Sequence, residues 1–147
     1  MQLFISTVNT RYIPQTYSIL KTELPSVLNT TCFNEQHLPF KREVKATEIG
    51  HLFEHILLEL LCIEKMRNGN GSAEYNGKTK WNWVKNTYGS FDIKVDAGFN
   101  DLIFLIRALK NSIDLTEKIL LSGNEVNNLY IPPQETGKVN AIWLNFL

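Results

Sequence analysis

The residues of this chain with the clearest joint chemistry form one short run, His51-Leu52-Phe53-Glu54-His55, an HxxEH motif. In an α-helix, residues four apart lie one turn above the other, so both imidazoles can reach the same metal ion. A bound zinc ion lowers the pKa of its water, and the neighbouring Glu54 carboxylate can move that water's proton to a leaving amine. The spacing occurs in one class of zinc peptidases and predicts hydrolysis of a peptide or amide bond. His51 and His55 are the predicted metal ligands, and Glu54 is the predicted catalytic base.

A catalytic zinc ion usually has a third protein ligand, and the sequence offers more than one candidate. Asp101 is the predicted third ligand, with Asp96 as the alternative, because both lie where a predicted strand meets the next helix. Glu59 lies one further turn beyond His55, roughly 6 Å along the helix axis, which favours a supporting contact to a ligand over direct binding. The simpler alternative is that the histidines and Glu54 pair with one another on a buried helix and bind no metal.

A long helix is predicted to carry the motif, from Thr47 as its N-cap to about Met66, with the Asn-Gly-Asn-Gly run at 68–71 as its end. Its apolar side chains fall on one broad stripe, formed by Ile49, Leu52, Phe53, Ile56, Leu57, Leu60 and Ile63. That stripe must pack on a sheet or on another helix. The opposite side mixes polar and apolar groups, so we expect the helix to be covered on both sides.

A second group of residues has the types that bind an extended ligand. Lys78, Lys80, Trp81 and Trp83 follow each other along a predicted strand, where the ammonium groups can steer a ligand and the indoles can stack on it. The alternative is a half-buried strand with a solvated outer face and no ligand.

The order of the predicted elements indicates an α+β fold, with a mixed or antiparallel sheet, helices packed mainly on one face, and a single two-layer domain over residues 1–147. The first half of the chain is predicted to form a strand at 2–8, a helix after Pro14 that Pro25 ends or kinks, irregular chain at 30–45 and then the long helix. A hairpin turn at Asn76-Gly77 with its strand follows, and then a strand at 90–96. The last part is predicted to form a helix at 102–109, another helix from Ser112 or Asp114 to Gly123, and one or two short strands within 124–147.

Composition excludes several classes of function. The 147 residues contain 15 basic and 15 acidic side chains, which argues against nucleic acid or an acidic membrane as the partner. We expect no signal peptide, because the first residues lack its charged start and long apolar core. The sequence has no apolar run of about eighteen residues and no phosphate-binding glycine loop. Its two cysteines form no disulfide framework. We therefore expect a cytoplasmic protein without ATP-dependent ligase activity.

Several segments resemble the N-terminal domain of cyanophycin synthetases. The run GHLFEHILLEL at 50–60 resembles the GHxxEHxxLEL helix of that domain. Ile13-Pro14 and Leu24-Pro25-Ser26 are similar to two short sequence motifs of that domain, IP and LPS. Further along, 76–80 resembles its FGRTR segment and 89–96 its YNVVFEY strand. The resemblance covers roughly residues 13–110 and rests on the helix motif most of all.

The resemblance implies a link to cyanophycin, a polymer of Asp and Arg. The synthetases make it with an ATP-grasp domain and a Mur-ligase-like domain, and this chain contains neither. Their N-terminal domain is linked to holding the polymer and, in some members, to a metallopeptidase activity that trims it. The resemblance therefore implies metal-binding roles for His51 and His55 and a base role for Glu54. Lys78 and Lys80 stand where the family has arginines, and a lysine cannot form the bidentate hydrogen bonds that an arginine makes with a carboxylate.

Two classes of function follow from the motif and the resemblance together. The first is a zinc-dependent peptidase or amide hydrolase that acts on a peptide-like polymer or its fragments. The second is a non-catalytic module that binds such a polymer or a partner protein. For either class we expect a peptide or peptide-like polymer as the ligand, and self-association or association with a synthetase as the assembly.

Overall fold

The computed structural model describes residues 2–4, 7–32, 38–69, 73–97 and 99–127. Within these ranges the elements are β1 (Gln2–Phe4), α1 (Thr16–Glu23), α2 (Phe40–Glu43), α3 (Ile49–Arg67), β2 (Asn76–Lys80), β3 (Ser90–Asp96) and α4 (Leu102–Asn127). Short 3-10 turns lie at Thr10–Tyr12, Pro25–Asn29 and Phe99–Asp101.

The three strands form one antiparallel sheet in the order β1-β3-β2, with β3 in the centre. Leu3 pairs with Phe91 on one side of β3, and Thr79 pairs with Ile93 on the other. The strand β3 alternates as its sequence predicts, because Phe91 and Ile93 are buried while the charged residues between and after them are exposed. One face of the sheet therefore meets the core and the other meets solvent.

The long helix α3 packs on the buried face of the sheet at close range. A Cβ atom added to Gly50 would lie 2.4 Å from the ring of Phe91, so only glycine allows this approach. On its other side α3 packs against α4, whose Ala108 and Ile119 are fully buried. The structure confirms a small α+β domain with an antiparallel sheet and helices on one of its faces.

The helices before and around the motif largely match their predictions. The helix α1 ends at Glu23, and Pro25 opens a 3-10 turn instead of continuing it. The helix α3 begins at Ile49 with Glu48 as its N-cap, so the prediction of Thr47 as the N-cap is wrong; the hydroxyl of Thr47 contacts the ring of His51 instead. Residues 30–45, expected to be irregular, contain the single turn α2.

The hairpin predicted at Asn76-Gly77 is wrong, because both residues lie inside β2 and pair with β3. A left-handed backbone conformation occurs earlier, just after α3, where Gly69 has a φ of +79°. The predicted strand is also shorter than its alternation suggested: β2 ends at Lys80, before both tryptophans. Trp83 instead turns inward and donates a hydrogen bond from Nε1 to the carbonyl of Ser90 at 2.9 Å.

The prediction of two helices after residue 101 is also wrong, since α4 is continuous from Leu102 to Asn127. Ser112 does not start a new helix because its buried hydroxyl donates to the carbonyl of Ala108 at 2.7 Å, within the same helix. At the N-terminus, β1 is confirmed over Gln2–Phe4 only. The short strands predicted within 124–147 fall on the end of α4 and on 128–147, which lies outside the described residues. No helix in the described ranges is both long enough and apolar enough to cross a lipid bilayer.

Candidate metal centre

Three side chains that can bind a metal ion converge beside α3. Cys32 Sγ lies 3.2 Å from Nε2 of His55 and 3.8 Å from Nε2 of His51. The three ligating atoms all lie within 4.8 Å of one another. Zinc bonds of about 2.3 Å to sulfur and about 2.0 Å to nitrogen at a tetrahedral angle would separate sulfur from nitrogen by roughly 3.5 Å. Both sulfur–nitrogen distances lie close to this value, and a cluster that extends to 4.8 Å must contract for one zinc ion to bond all three atoms. The thiol and the two imidazoles are donor types that zinc binds.

The fold brings these side chains together from two distant segments. His51 and His55 lie one turn apart on α3, as the motif predicts. Cys32 comes from the segment before α2, where its backbone N–H donates to the carbonyl of Leu38 at 3.2 Å. The ring of Phe40 stacks on that of His55, with 3.9 Å between centroids and 10° between planes. Packing and backbone pairing therefore fix both the sulfur and the imidazole.

Hydrogen bonds define which nitrogen of His55 can bind a metal. Thr30 donates its only hydroxyl hydrogen to the carbonyl of Val27 at 2.7 Å, so the same oxygen can only accept from Nδ1 of His55, 3.0 Å away. Nδ1 therefore carries the hydrogen, and Nε2 presents a lone pair to Cys32. Burial, followed by the nearby His51, lowers the pKa of His55 to about 3, so the ring is neutral. A neutral imidazole is the form that binds metal.

His51 has a similar arrangement. Its Nδ1 lies 2.8 Å from the hydroxyl of Thr47 and 3.9 Å from a carboxylate oxygen of Glu43. Its Nε2 is thus directed to the side of Cys32. Contacts of this kind, on the ring nitrogen that does not bind metal, orient histidine ligands in metal sites.

The thiol of Cys32 is held in its protonated form unless a cation is present. Burial raises its pKa well above the ordinary value, and the carboxylates of Glu43 and then Glu54 add to the effect. Cys32 is only 2% exposed. A metal ion would supply the positive charge that this site lacks and would displace the thiol proton on binding.

Glu54, the predicted base, lies on the same helix and faces β2. Its carboxylate accepts a hydrogen bond from the hydroxyl of Thr79 and lies 2.8 Å from the position that a Cβ atom on Gly77 would occupy. Burial raises the pKa of Glu54, although the Thr79 hydrogen bond and His51 act in the opposite direction. A carboxylate with a raised pKa is better suited to hold and release a proton near neutral pH.

The two histidines and Glu54 open on one cavity of about 990 Å³. The cavity lies between α3, the strand β2 and the segment that precedes β2. His51, Glu54 and His55 line its wall on α3, and Glu59 lines the same wall further along the helix. The motif therefore faces a space large enough for a peptide-sized ligand.

The structure does not bring Asp101 to the histidines. Its carboxylate accepts hydrogen bonds of 2.6 Å from the ammonium of Lys65 and from the hydroxyl of Tyr75. The third ligating atom beside the histidines is the sulfur of Cys32 instead. Sequence reasoning missed Cys32 because it lies 19 residues before His51, in a segment without helical or strand periodicity. The only signal was its residue type, since cysteine is a common zinc ligand.

The predicted ligand-binding residues have different surroundings. Lys78 and Trp81 line the main cavity, whereas Lys80 and Trp81 line a smaller hollow of about 470 Å³. Trp83 packs against Phe91 and its indole N–H is satisfied by the backbone. The structure thus places Lys78 and Trp81 on the cavity that the histidines line and assigns Trp83 to packing.

Fold and site together define a small α+β domain whose central helix presents a Cys/His/His cluster beside a large cavity. The family model of the cyanophycin synthase-like N-terminal domain matches residues 1–101, and the chain belongs to this family. The matched region contains the sheet, α3 and every residue of the cluster. No curated protein and no solved structure matches the chain.

Proposed function

We propose that this protein is a zinc-dependent peptidase or amide hydrolase, in which Cys32, His51 and His55 hold the metal ion. The observation that carries the proposal is the direction of the ligand atoms: both Nε2 atoms face the Cys32 sulfur while both Nδ1 atoms contact threonine hydroxyls. Two imidazoles oriented in this way, with a thiol between them, form the donor set of a zinc site.

When bound, zinc would polarise a carbonyl and lower the pKa of water, as it does in other zinc hydrolases. The protein's own contribution to the reaction centres on Glu54. Its carboxylate takes a proton from the attacking water and returns it to the leaving amine nitrogen. The hydroxyl of Thr79 holds that carboxylate in place. Burial, which raises the pKa of Glu54, favours the proton-holding form between these two steps.

For the substrate, the proposal rests on the family. Because the chain belongs to the cyanophycin synthase-like N-terminal family, cyanophycin and its peptide fragments are the first substrates to consider. The cavity has room for several residues of an extended chain. We therefore propose a peptide-like polymer of this kind as the substrate class.

A second candidate function is a non-catalytic module that binds such a polymer or a protein partner. Burial favours it: Cys32 is 2% and His55 is 8% exposed, and structural zinc sites are more enclosed than catalytic ones. In that case Lys78, Lys80 and Trp81 would contact the ligand, and the metal cluster would stabilise the fold.

Cleavage assays on the wild type and on the Glu54→Gln variant separate the two functions. Cyanophycin and synthetic Asp/Arg peptides are incubated with the zinc-loaded full chain, and new amino groups are counted. We expect Glu54→Gln to keep its zinc and to lose activity by about 10²–10⁴-fold, since it removes general base catalysis. Glu117→Gln, an exposed change on α4, is the control. If the wild type binds zinc but cleaves none of these substrates, while still retaining the polymer, the binding module is correct instead.

A further inference from the structure

The strand β2 is an edge strand. It pairs with β3 along its whole length, from Asn76 to Lys80. Within the described ranges no strand pairs with its other side, which we call the outer edge of β2. The main-chain N–H and C=O groups that point outward from such an edge can pair with another extended chain.

The outer edge of β2 faces the main cavity. Gly77 and Thr79 are half-buried on the face toward α3, whereas Asn76 and Lys78 are exposed on the opposite face. All four residues nevertheless line the cavity. Since their side chains alternate between two faces, the cavity must run along the edge of the strand and not over one face alone.

The predicted base lies directly beside this strand. A Cβ atom placed on Gly77 would lie 2.8 Å from Oε1 of Glu54, so a side chain larger than glycine would crowd the carboxylate. The next inward residue, Thr79, holds the same carboxylate by its hydroxyl. A chain bound along the outer edge would therefore pass close to Glu54.

The charges of the cavity are unbalanced, although those of the whole chain are equal at 15 basic and 15 acidic side chains. Among the described residues of the lining, Lys78 is the one ammonium group, and the carboxylates are Glu43, Glu48, Glu54, Glu59 and Glu74. His55 is neutral. The local excess of negative charge favours a ligand with positive side chains.

We propose that an extended peptide with basic side chains binds as an additional strand along the outer edge of β2, beside the Cys/His/His cluster. The five residues of β2 span about 16 Å at 3.3 Å per residue, which accommodates a bound segment of similar length. Main-chain hydrogen bonds to β2 supply affinity, and the carboxylates of the lining select basic side chains. The proposal deepens the proposed function, on which it rests, by naming how the substrate is held.

The test measures binding without cleavage. A capped hexapeptide of alternating Ala and Lys is titrated calorimetrically into zinc-loaded Glu54→Gln, and metal-stripped wild type serves as a second non-cleaving sample. Two further peptides carry N-methyl groups on alternate backbone amides. One is methylated at the odd-numbered residues and the other at the even-numbered residues, and we call these the two methylation phases. Because successive amides of a strand point to opposite sides, one phase should weaken binding about tenfold or more and the other should not. No binding, or equal weakening by both phases, would overturn the proposal.

Separate variants test whether the carboxylates of the lining select peptides with basic side chains. The double change Glu59→Gln and Glu74→Gln removes two carboxylates of the lining that are not members of the Cys/His/His cluster. It should weaken the Ala/Lys peptide about three- to tenfold at low salt and leave an Ala/Ser peptide unaffected. Glu117→Gln, which makes the same kind of charge change outside the cavity, should not alter either affinity. An acidic peptide of alternating Ala and Glu is also titrated into the wild type. If it binds as tightly as the Ala/Lys peptide, the cavity does not select basic side chains.

The outcomes for strand addition and for hydrolysis are separable. If peptides bind with the expected phase dependence but are not cleaved by the wild type, the hydrolase proposal fails and strand addition stands. If the wild type cleaves peptides and both methylation phases weaken binding equally, strand addition fails and the hydrolase stands.

Discussion

Nε2 of His55 lies 3.2 Å from Sγ of Cys32, a residue 23 positions earlier in the chain. The contact joins a helix whose motif is recognisable in sequence to a segment that carries no motif. It extends a pair of histidines to a cluster of three side chains that could hold a metal ion, and it directs the lone pair of His55 toward a sulfur. The site is therefore assembled by the fold and is only partly encoded in the HxxEH run.

The hydroxyl of Thr30 should control metal affinity through His55. Thr30→Val keeps the shape of the side chain but removes the oxygen that accepts from Nδ1–H of His55. Loss of such a contact typically lowers metal affinity 10- to 100-fold. Competition with a chromogenic zinc chelator measures this affinity. Thr31→Val, at the exposed neighbouring position, is the matched control and should leave it unchanged. Equal affinities for both variants would show that Thr30 does not orient the ligand.

The close approach of α3 to the sheet should make Gly50 intolerant of any side chain. Gly50→Ala places a Cβ atom 2.4 Å from the Phe91 ring, and overpacking of this kind costs about 1–3 kcal/mol of unfolding free energy. Urea denaturation monitored by tryptophan fluorescence measures it. Gly69→Ala is a useful comparison because Gly69 has a φ of +79°, which opposes the change, while no non-neighbouring atom of the described residues lies within 4 Å of the added Cβ. A midpoint for Gly50→Ala as high as that of the wild type would contradict the packing of α3.

The continuity of α4 can be tested with proline at position 112. Pro is tolerated in the first turn of a helix but costs about 3 kcal/mol or more in the interior. Ser112→Pro should therefore destabilise the protein severely, because Ser112 lies in the middle of Leu102–Asn127. Ser112→Ala, which removes only the hydroxyl bond to Ala108, should cost much less. Near-wild-type stability of the proline variant would favour two separate helices.

Asp101 should contribute to stability in a pH-dependent way. Hydrogen bonds from Lys65 and then Tyr75 lower the pKa of its carboxyl below the ordinary value in the folded state. The folded state therefore binds this proton less readily than the unfolded chain does. Its contribution is present above the unfolded pKa of about 4 and is lost as the pH falls below it.

Urea midpoints of the wild type and of Asp101→Asn, measured from neutral pH downward, test this linkage. The gap between the two should be constant near neutral pH and should narrow below about pH 4. Asp114→Asn, an exposed change on α4, is the control for loss of one charge. A gap between wild type and Asp101→Asn that shows no narrowing under acid conditions would mean that Lys65 and Tyr75 do not stabilise the ionised form.

Periodicity predicted the parts of the fold that depend on burial. The helix that contains Glu54 and the strand that contains Phe91 were both expected within a few residues of their observed bounds, because each buries one repeating face. Local turn chemistry was less informative. Asn76-Gly77 has the composition of a hairpin turn, yet Gly77 serves to admit the Glu54 side chain beside a strand. This need for space beside Gly77 arises from tertiary packing, so the residues next to Gly77 in the sequence do not reveal it.

The same distinction applies to the candidate site. His51, Glu54 and His55 share one helix, so their spacing alone places them together. The third ligand depends on how a distant segment packs. Asp101 was a reasonable choice by position, but the fold places it against Lys65 and Cys32 against the histidines.

The most direct test of the account is the zinc content of the untagged full chain and of its two cysteine variants, measured by elemental analysis. Cys62 lines the main cavity, but only Cys32 belongs to the cluster with the histidines. We predict about one zinc ion per chain in the wild type and in Cys62→Ser, and none in Cys32→Ser. A wild type that stays free of zinc after reconstitution, or a Cys32→Ser variant that binds zinc as well as Cys62→Ser does, would contradict the metal centre.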